Sequence, residues 1–362
     1  MLKKYRSCID NSLKTLLKEA AEKHNLSSPS GILFSGIKDF LLRKGKRIRP
    51  LLYIAGYKGY IGKKKYSEKD LVRSSLAFEL LHDFLLIHDD VIDKADLRRG
   101  KPALHKYFNK RLGLSASSDI GASLGIVAGD IVFALAIDAL GALEAPARKK
   151  ERAMSKFLRA AVSTGTGEYI DVVNNITPLD RVSRKDVLNV YSLKTAEYTF
   201  EAPLTIGAMM AGAPEKEVSK LSRIGMLTGR AFQVQDDLLD LFASSKVIGK
   251  PVLSDLDESK KTLPVWKAYS ILDKKHRTQL RRIFKKDKKT LADLKKVRSM
   301  IRTAGADKYC LDMTSSLLKE ADGIFRELKM KHGYKNMLKE FIDNFFAKTE
   351  LLYEIIGPAP RG

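Results

Sequence analysis

Cysteine is nearly absent: Cys8 and Cys310 are the two in 362 residues. They form no C-x-x-C pair, which excludes a thiolate metal site, and two thiols so far apart cannot found a disulfide framework. A reducing, cytoplasmic setting is the expectation. Long apolar runs are missing too, none reaching the roughly 18 residues that span a bilayer. The N-terminal MLKKYRSCIDNSLKTLLKEAAEKH is charged throughout, with no secretory apolar stretch. No transmembrane segment is therefore expected. There is no Gly/Ser-rich or Pro-rich linker, low-complexity tract or short repeat, which favours one domain over 1–362, with 356–362 a flexible tail. Acidic charge is scarce, with 43 Asp+Glu against 66 Lys+Arg and a formal net charge of +23. A basic chain attracts nucleic acid, anionic lipid or phosphorylated substrates. Much of this charge, however, lies in mixed-sign helical stretches such as KKDKKTLADLKKVR (285–298), which read as solvated faces.

What the chain has instead is helical periodicity. In 218–242, Leu221, Ile224, Leu227, Ala231, Val234, Leu238 and Leu241 recur three or four apart and form one apolar stripe. The stretch 71–97 holds no Gly or Pro and is apolar over most of its surface, the pattern of a buried helix. Prolines are absent from 103–145, 179–202 and 265–357, so nothing forbids helices there. Alternating β patterns are rare. The chain reads as all-α.

Against the basic background two acidic clusters stand out: Asp89, Asp90 and Asp93, then Asp236, Asp237 and Asp240, both spaced D-D-x-x-D. Asp89 and Asp93 are i and i+4 and share a helix face, about 6 Å apart at Cβ; His82, seven residues earlier, returns to that face. Gln233, Asp236 and Asp240 share a polar face off the apolar stripe. Paired carboxylates suit a hard cation, Mg²⁺ above all, which keeps waters and bridges to phosphates. Burying such clusters is costly unless cations neutralise them. Basic groups lie close by in sequence: Arg98, Arg99 and Lys101, then Lys250, Lys260 and Lys261, with Lys46 and Arg49 in GKRIRP. Arg pairs bidentately with phosphate oxygens, and Lys acts as a point charge. Together these fit a pocket for two anionic groups, one held through Mg²⁺ and one by bare cations.

The motifs GKRIRP (45–50), HDDVID (88–93), LRRGKPALH (97–105), AGD (128–130), GEYIDV (167–172), LKTA (193–196), FQVQDDLLD (232–240), GK (249–250) and KKTLP (260–264) occur in an order that resembles the trans-isoprenyl diphosphate synthases, or polyprenyl synthetases. The resemblance implies a single all-α domain around a deep cavity, as a homodimer, condensing isopentenyl diphosphate with dimethylallyl, geranyl or farnesyl diphosphate. It implies three Mg²⁺ ions, with Asp89, Asp93 and Asp236 as ligands and Asp90, Asp237 and Asp240 completing the motifs. Arg98, Lys194 and Lys250 would contact the allylic diphosphate, with Lys260 in the substrate-binding set. Lys46, Arg49, His82 and Arg99 would hold the diphosphate of isopentenyl diphosphate. The Lys194 carbonyl, Thr195 hydroxyl and Gln233 amide would stabilise positive charge on the allylic carbons, and a diphosphate oxygen would take the final proton. Two positions depart from the resemblance: Glu168 stands where many relatives have Gln, and Ser259 where they often have Gly.

Product length is expected to follow a bulky side chain below the first motif. Phe84 lies five residues before Asp89 and Leu85 four before, about 6–7.5 Å deeper along the helix. Phe84 without a second aromatic at 85 resembles archaeal-type geranylgeranyl diphosphate synthases and a C20 product. A helical wheel turns Phe84 about 140° from Asp89, so a plain core aromatic is the competing reading. Farnesyl or longer products, and a non-catalytic partner subunit, are the alternatives. Silent subunits lose an acidic motif, however, and both motifs are intact here. A terpene cyclase carries a different second metal motif. A nucleic-acid-binding helical protein would leave two acidic clusters on apolar helices unexplained, so no nucleic acid is expected.

Overall fold

The computed structural model describes residues 1–26, 31–243 and 253–356, and the chain is all-α. Two compact units are distinguishable: Met1–Phe157 with Pro203–Pro214 and Met330–Met337, and Leu158–Ala202 with Glu215–Lys329 and Leu338–Gly362. Each is assembled from separated stretches of chain.

In the first unit, α1 (Leu2–Lys23) buries Tyr5, Ile9, Leu13, Leu16, Leu17 and Ala20, the three-or-four spacing of one helix face. Next come α2 (Gly31–Leu41), α3 (Ile48–Tyr60) and α4 (Glu68–Ile92). Ser67 caps α4, its hydroxyl accepting from the Asp70 N–H. The pattern over 71–97 overstated this helix: α4 stops at Ile92, and Leu97–Arg98 and Lys101–Pro102 form a two-stranded antiparallel hairpin, β1 and β2. Helices α5 (Leu104–Arg111) and α6 (Asp119–Leu140) follow, and α4 packs mainly on α6, then on α3, α1 and α5. Among the described residues α6 is the one helix long and apolar enough to cross a membrane, with a mean hydropathy of 2.1. Asp130 and Asp138 break its apolar run in the sequence, so the run count missed it. Its buried face lies against α4 and α5, which makes it a core helix of this unit.

Helix α7 (Ala147–Ile176) runs into the second unit. There α8 (Arg184–Val190) starts from a capping box of Ser183 and Asp186 and passes without a break into a π-helix, Tyr191–Glu201. Extended π-helix is rare and concentrates at functional sites; this one carries LKTA. After α9 (Ala202–Ala211), which belongs to the first unit, α10 (Glu215–Phe242) packs on the π-helix and on the helix Ala306–Arg326. Every residue of the expected α10 stripe is buried. Residues 244–252, with Lys250, and the 357–362 part of the expected tail lie outside the described residues.

Candidate active site

The first acidic motif closes α4. Asp93 caps the helix, its N–H donating to the Asp89 carbonyl at 2.8 Å. Asp89 and Asp93 are half-buried, while Asp90 is fully buried. The β1–β2 hairpin is joined by Arg99 and Gly100, with φ of 53° and 73°. Two left-handed residues are what a tight two-residue hairpin turn demands. Gly100 adopts that region freely, whereas Arg99 is held there at some cost. Arg43 fastens the hairpin by donating to the carbonyls of Arg98 (3.0 Å) and Pro102 (2.9 Å), and Asp39 holds both Arg43 (3.0 Å) and Lys101 (2.6 Å).

From this hairpin two guanidinium groups reach α4. Arg98 donates to Asp90 Oδ1 at 2.7 Å and to Asp89 Oδ2 at 3.1 Å. Burial pushes Asp90 up to about 6 against the pull of Arg98, and Asp90 Oδ2 is buried without a hydrogen-bond partner. Arg99 Nη2 lies 3.2 Å from Asp83 Oδ1. Within GKRIRP, Lys46 is exposed and Arg49 buried, while Arg47 between them is structural, paired with Glu79 (2.7 Å) and Asp10 (2.8 Å). Burial, together with the charges of Arg49, Arg99 and Arg98, holds His82 well below the ordinary histidine range, so it is neutral.

AGD belongs to the same packing. A Cβ on Gly129 would stand 2.4 Å from the His88 ring, so any larger residue there would displace that ring. His88 Nε2 in turn lies 3.2 Å from the Ile126 carbonyl and 3.7 Å from Asp130. Phe84 is half-buried, as is Leu85, and its ring packs against His88 (4.6 Å between centroids) and Phe133 of α6 (4.9 Å). Phe133 was not singled out in the sequence, because its contact with Phe84 joins two helices.

In the second unit a hydrogen-bonded chain runs through the second motif. Thr195 Oγ1 donates to Gln233 Oε1 at 2.8 Å, Gln233 Nε2 donates to Asp237 Oδ1 at 2.9 Å, and the Tyr191 hydroxyl donates to Asp237 Oδ2. That hydroxyl also accepts from the Leu263 N–H at 2.8 Å, within KKTLP. Asp237 and Asp240 are buried and Asp236 is half-buried. Tyr191 had no signal in the sequence beyond its closeness to LKTA. Lys194 sits between Glu168 (2.7 Å) and Asp171 (2.8 Å). A Cβ on Gly167 would stand 2.4 Å from the Lys194 backbone nitrogen, which ties GEYID to LKTA.

Ser259 explains itself once its backbone is seen. Its φ is 59°, a conformation glycine adopts more readily. The hydroxyl compensates by donating to the Phe284 carbonyl (3.1 Å) and accepting from buried Lys289 (2.6 Å). Lys260 pairs with Glu258 at 2.6 Å, and burial next to Lys289 pushes Lys261 down to about 8. Among the described residues no three His, Cys, Asp or Glu side chains converge into a ready-made metal cage. All-oxygen motifs, one already carrying a cationic Arg98 and an orphaned buried oxygen, fit Mg²⁺, which completes its shell with water and substrate.

The family model described as polyprenyl synthetase matches residues 32–301. A short chain isoprenyl diphosphate synthase of Methanocaldococcus jannaschii is 34% identical over 274 residues, which is 75% of this chain and 74% of the relative. A geranylgeranyl diphosphate synthase of Sulfolobus acidocaldarius is 34% identical over 233 residues, covering 63% of this chain and 64% of the relative. Among solved structures, a geranylgeranyl pyrophosphate synthase of Corynebacterium glutamicum, complexed with isoprenyl diphosphate and magnesium, has a TM-score of 0.88 at 24% identity, over 96% of this chain and 99% of that one. At that identity it is the fold that is shared.

Proposed function

The chain belongs to the polyprenyl synthetase family and is a prenyltransferase, and from that premise we propose that it condenses isopentenyl diphosphate with allylic diphosphates up to the C20 product, geranylgeranyl diphosphate. One observation carries the reading: two arginines on one pinned hairpin are seated against carboxylates of α4, Arg98 on Asp89 and Asp90 at its end and Arg99 on Asp83 deeper along it. Oxygen donors for a cation and guanidinium groups for phosphate are thus set side by side.

In this reading Asp89, Asp93 and Asp236 hold magnesium, three ions in all, and Asp90, Asp237 and Asp240 support them. When bound, the metal neutralises the allylic diphosphate and stabilises it as a leaving group. Arg98, Lys194 and Lys250 contact the allylic diphosphate, with Lys260 in the substrate-binding set, and such charge favours the departing anion over the intact ester. Lys46, Arg49, His82 and Arg99 bind the diphosphate of isopentenyl diphosphate; neutral His82 offers a hydrogen bond there. The Lys194 carbonyl, Thr195 Oγ1 and Gln233 Oε1 present oxygen to positive charge developing on the allylic carbons. Neither Thr195 nor Gln233 is ionised, so they stabilise that charge without capturing it. A diphosphate oxygen takes the last proton. Phe84, with Leu85 beside it and Phe133 against its ring, blocks the growing tail at C20.

The chain acts as one domain, since the family match runs across both units. It pairs as a homodimer, for which exposed Ile126 and Val127 on α6 provide apolar surface. It works in the cytoplasm, where the free thiols Cys8 and Cys310 stay reduced, and takes no nucleic-acid partner. The test is a product assay with Mg²⁺, isopentenyl diphosphate and dimethylallyl, geranyl or farnesyl diphosphate in turn, sized by mass spectrometry. A dominant C20 product that disappears with EDTA is expected. A C15 or C25 product would remove Phe84 as the floor, and no condensation with any allylic partner would overturn the reaction itself.

A further inference from the structure

Three buried carboxylates lie along α4, each with its own arginine: Glu79 with Arg47, Asp83 with Arg99, and Asp90 with Arg98. The first and third pairs are well-formed hydrogen-bonded bridges of 2.7 Å. The middle pair is not. Asp83 is wholly inaccessible, yet neither of its carboxylate oxygens has a hydrogen-bond partner, and Arg99 Nη1 is buried and likewise without one. An ionisable carboxyl buried on these terms costs stability rather than adding it, so packing does not account for it. The backbone of Arg99 is already fixed by the hairpin turn and by Arg43. Holding the loop therefore does not account for Asp83 either.

We propose that Asp83 is a counter-charge to Arg99 that limits how tightly the diphosphate of isopentenyl diphosphate is held, and so sets the affinity of that subsite. The proposal rests on the reading above that Arg99 grips this diphosphate. An arriving diphosphate competes with Asp83 for the same guanidinium and feels the carboxylate's repulsion in a poorly solvated place, where charges act strongly. Weak holding has a use: in each cycle the site must exchange its diphosphate as the product forms and leaves.

The experiment measures isopentenyl diphosphate binding by isothermal titration without an allylic partner, and KM for each substrate at about pH 8, above the value of about 7 to which burial pushes Asp83. Asp83→Asn keeps the shape and removes the charge. Its dissociation constant and KM for isopentenyl diphosphate are expected to fall roughly tenfold, with KM for the allylic substrate unchanged. Tighter binding is a result that structural damage does not produce. Asp83→Ser serves as a second, smaller replacement and is expected to act the same way. Unchanged or weaker binding in a folded variant overturns the proposal, as does failure of both variants to fold, which would make the carboxylate structural. Arg99→Gln separates the two levels: if it leaves isopentenyl diphosphate binding unaltered, the assignment of Arg99 fails, whatever Asp83 does.

Discussion

Lys194 shows how single residues tune this chain. Its ammonium is shared by Glu168 and Asp171 at 2.7 and 2.8 Å, all three mostly buried. Two carboxylates over-compensate one cation, so Glu168→Gln should release Lys194 toward diphosphate while Asp171 keeps it in place. KM for the allylic substrate is expected to fall several-fold at saturating isopentenyl diphosphate, and a rise would show that Glu168 is needed for orientation instead. Asp83 gives a pH signature. Burial pushes it up to about 7, helped by Glu79 and opposed by Arg99, Arg47 and Arg49. An unfolded aspartate titrates near 3.9, so between those values the folded protein carries the extra proton, and stability falls as pH rises from about 4 to about 7. Denaturant midpoints across that range should decline more steeply for the wild type than for Asp83→Asn; parallel curves would contradict the raised value. Neither feature could be read from the sequence, because a carboxylate's partner and burial are set by chain segments far away.

At the scale of elements, close approach is the controlling quantity. Gly129 lets α6 rest on the His88 ring, whereas Gly323, within the helix Ala306–Arg326, has nothing within 4 Å of a would-be Cβ. Gly129→Ala is therefore expected to destabilise by about 1–3 kcal/mol through overpacking. Gly323→Ala should stabilise by roughly 0.5–1 kcal/mol by lowering the freedom of the unfolded chain. Thermal melts of the two variants should move in opposite directions, and a shared direction would refute the contrast. The α10 stripe was legible in full because a 3.6-residue period maps directly onto a buried face. The end of α4 was not: Asp93 still fits a helix, and the chain leaves it through Lys94 at φ 53°, a conformation its residue type does not announce. The π-helix was equally silent, since Tyr191–Glu201 has the composition of an ordinary helix.

For the whole molecule, the net charge of +23 mostly reflects solvated faces, and the exposed apolar surface is the more telling feature. Ile126 and Val127 on α6 are 45% and 50% exposed. If the proposed homodimer forms through this surface, replacing both with Lys should shift sedimentation toward monomer, and an unchanged distribution would overturn that placement of the contact. Family, reaction and acidic motifs were all present in the order of residues, because chemistry that needs paired carboxylates, phosphate-binding arginines and a lysine can be recognised from residue type and spacing. The pairing of those groups was not. That Asp83 stands under Arg99, that Tyr191 holds Asp237, and that Phe133 backs Phe84 are contacts between separate elements of the chain. The Asp83–Arg99, Tyr191–Asp237 and Phe84–Phe133 contacts exist because packing and desolvation act on neighbours in space, and a linear pattern carries no record of those neighbours.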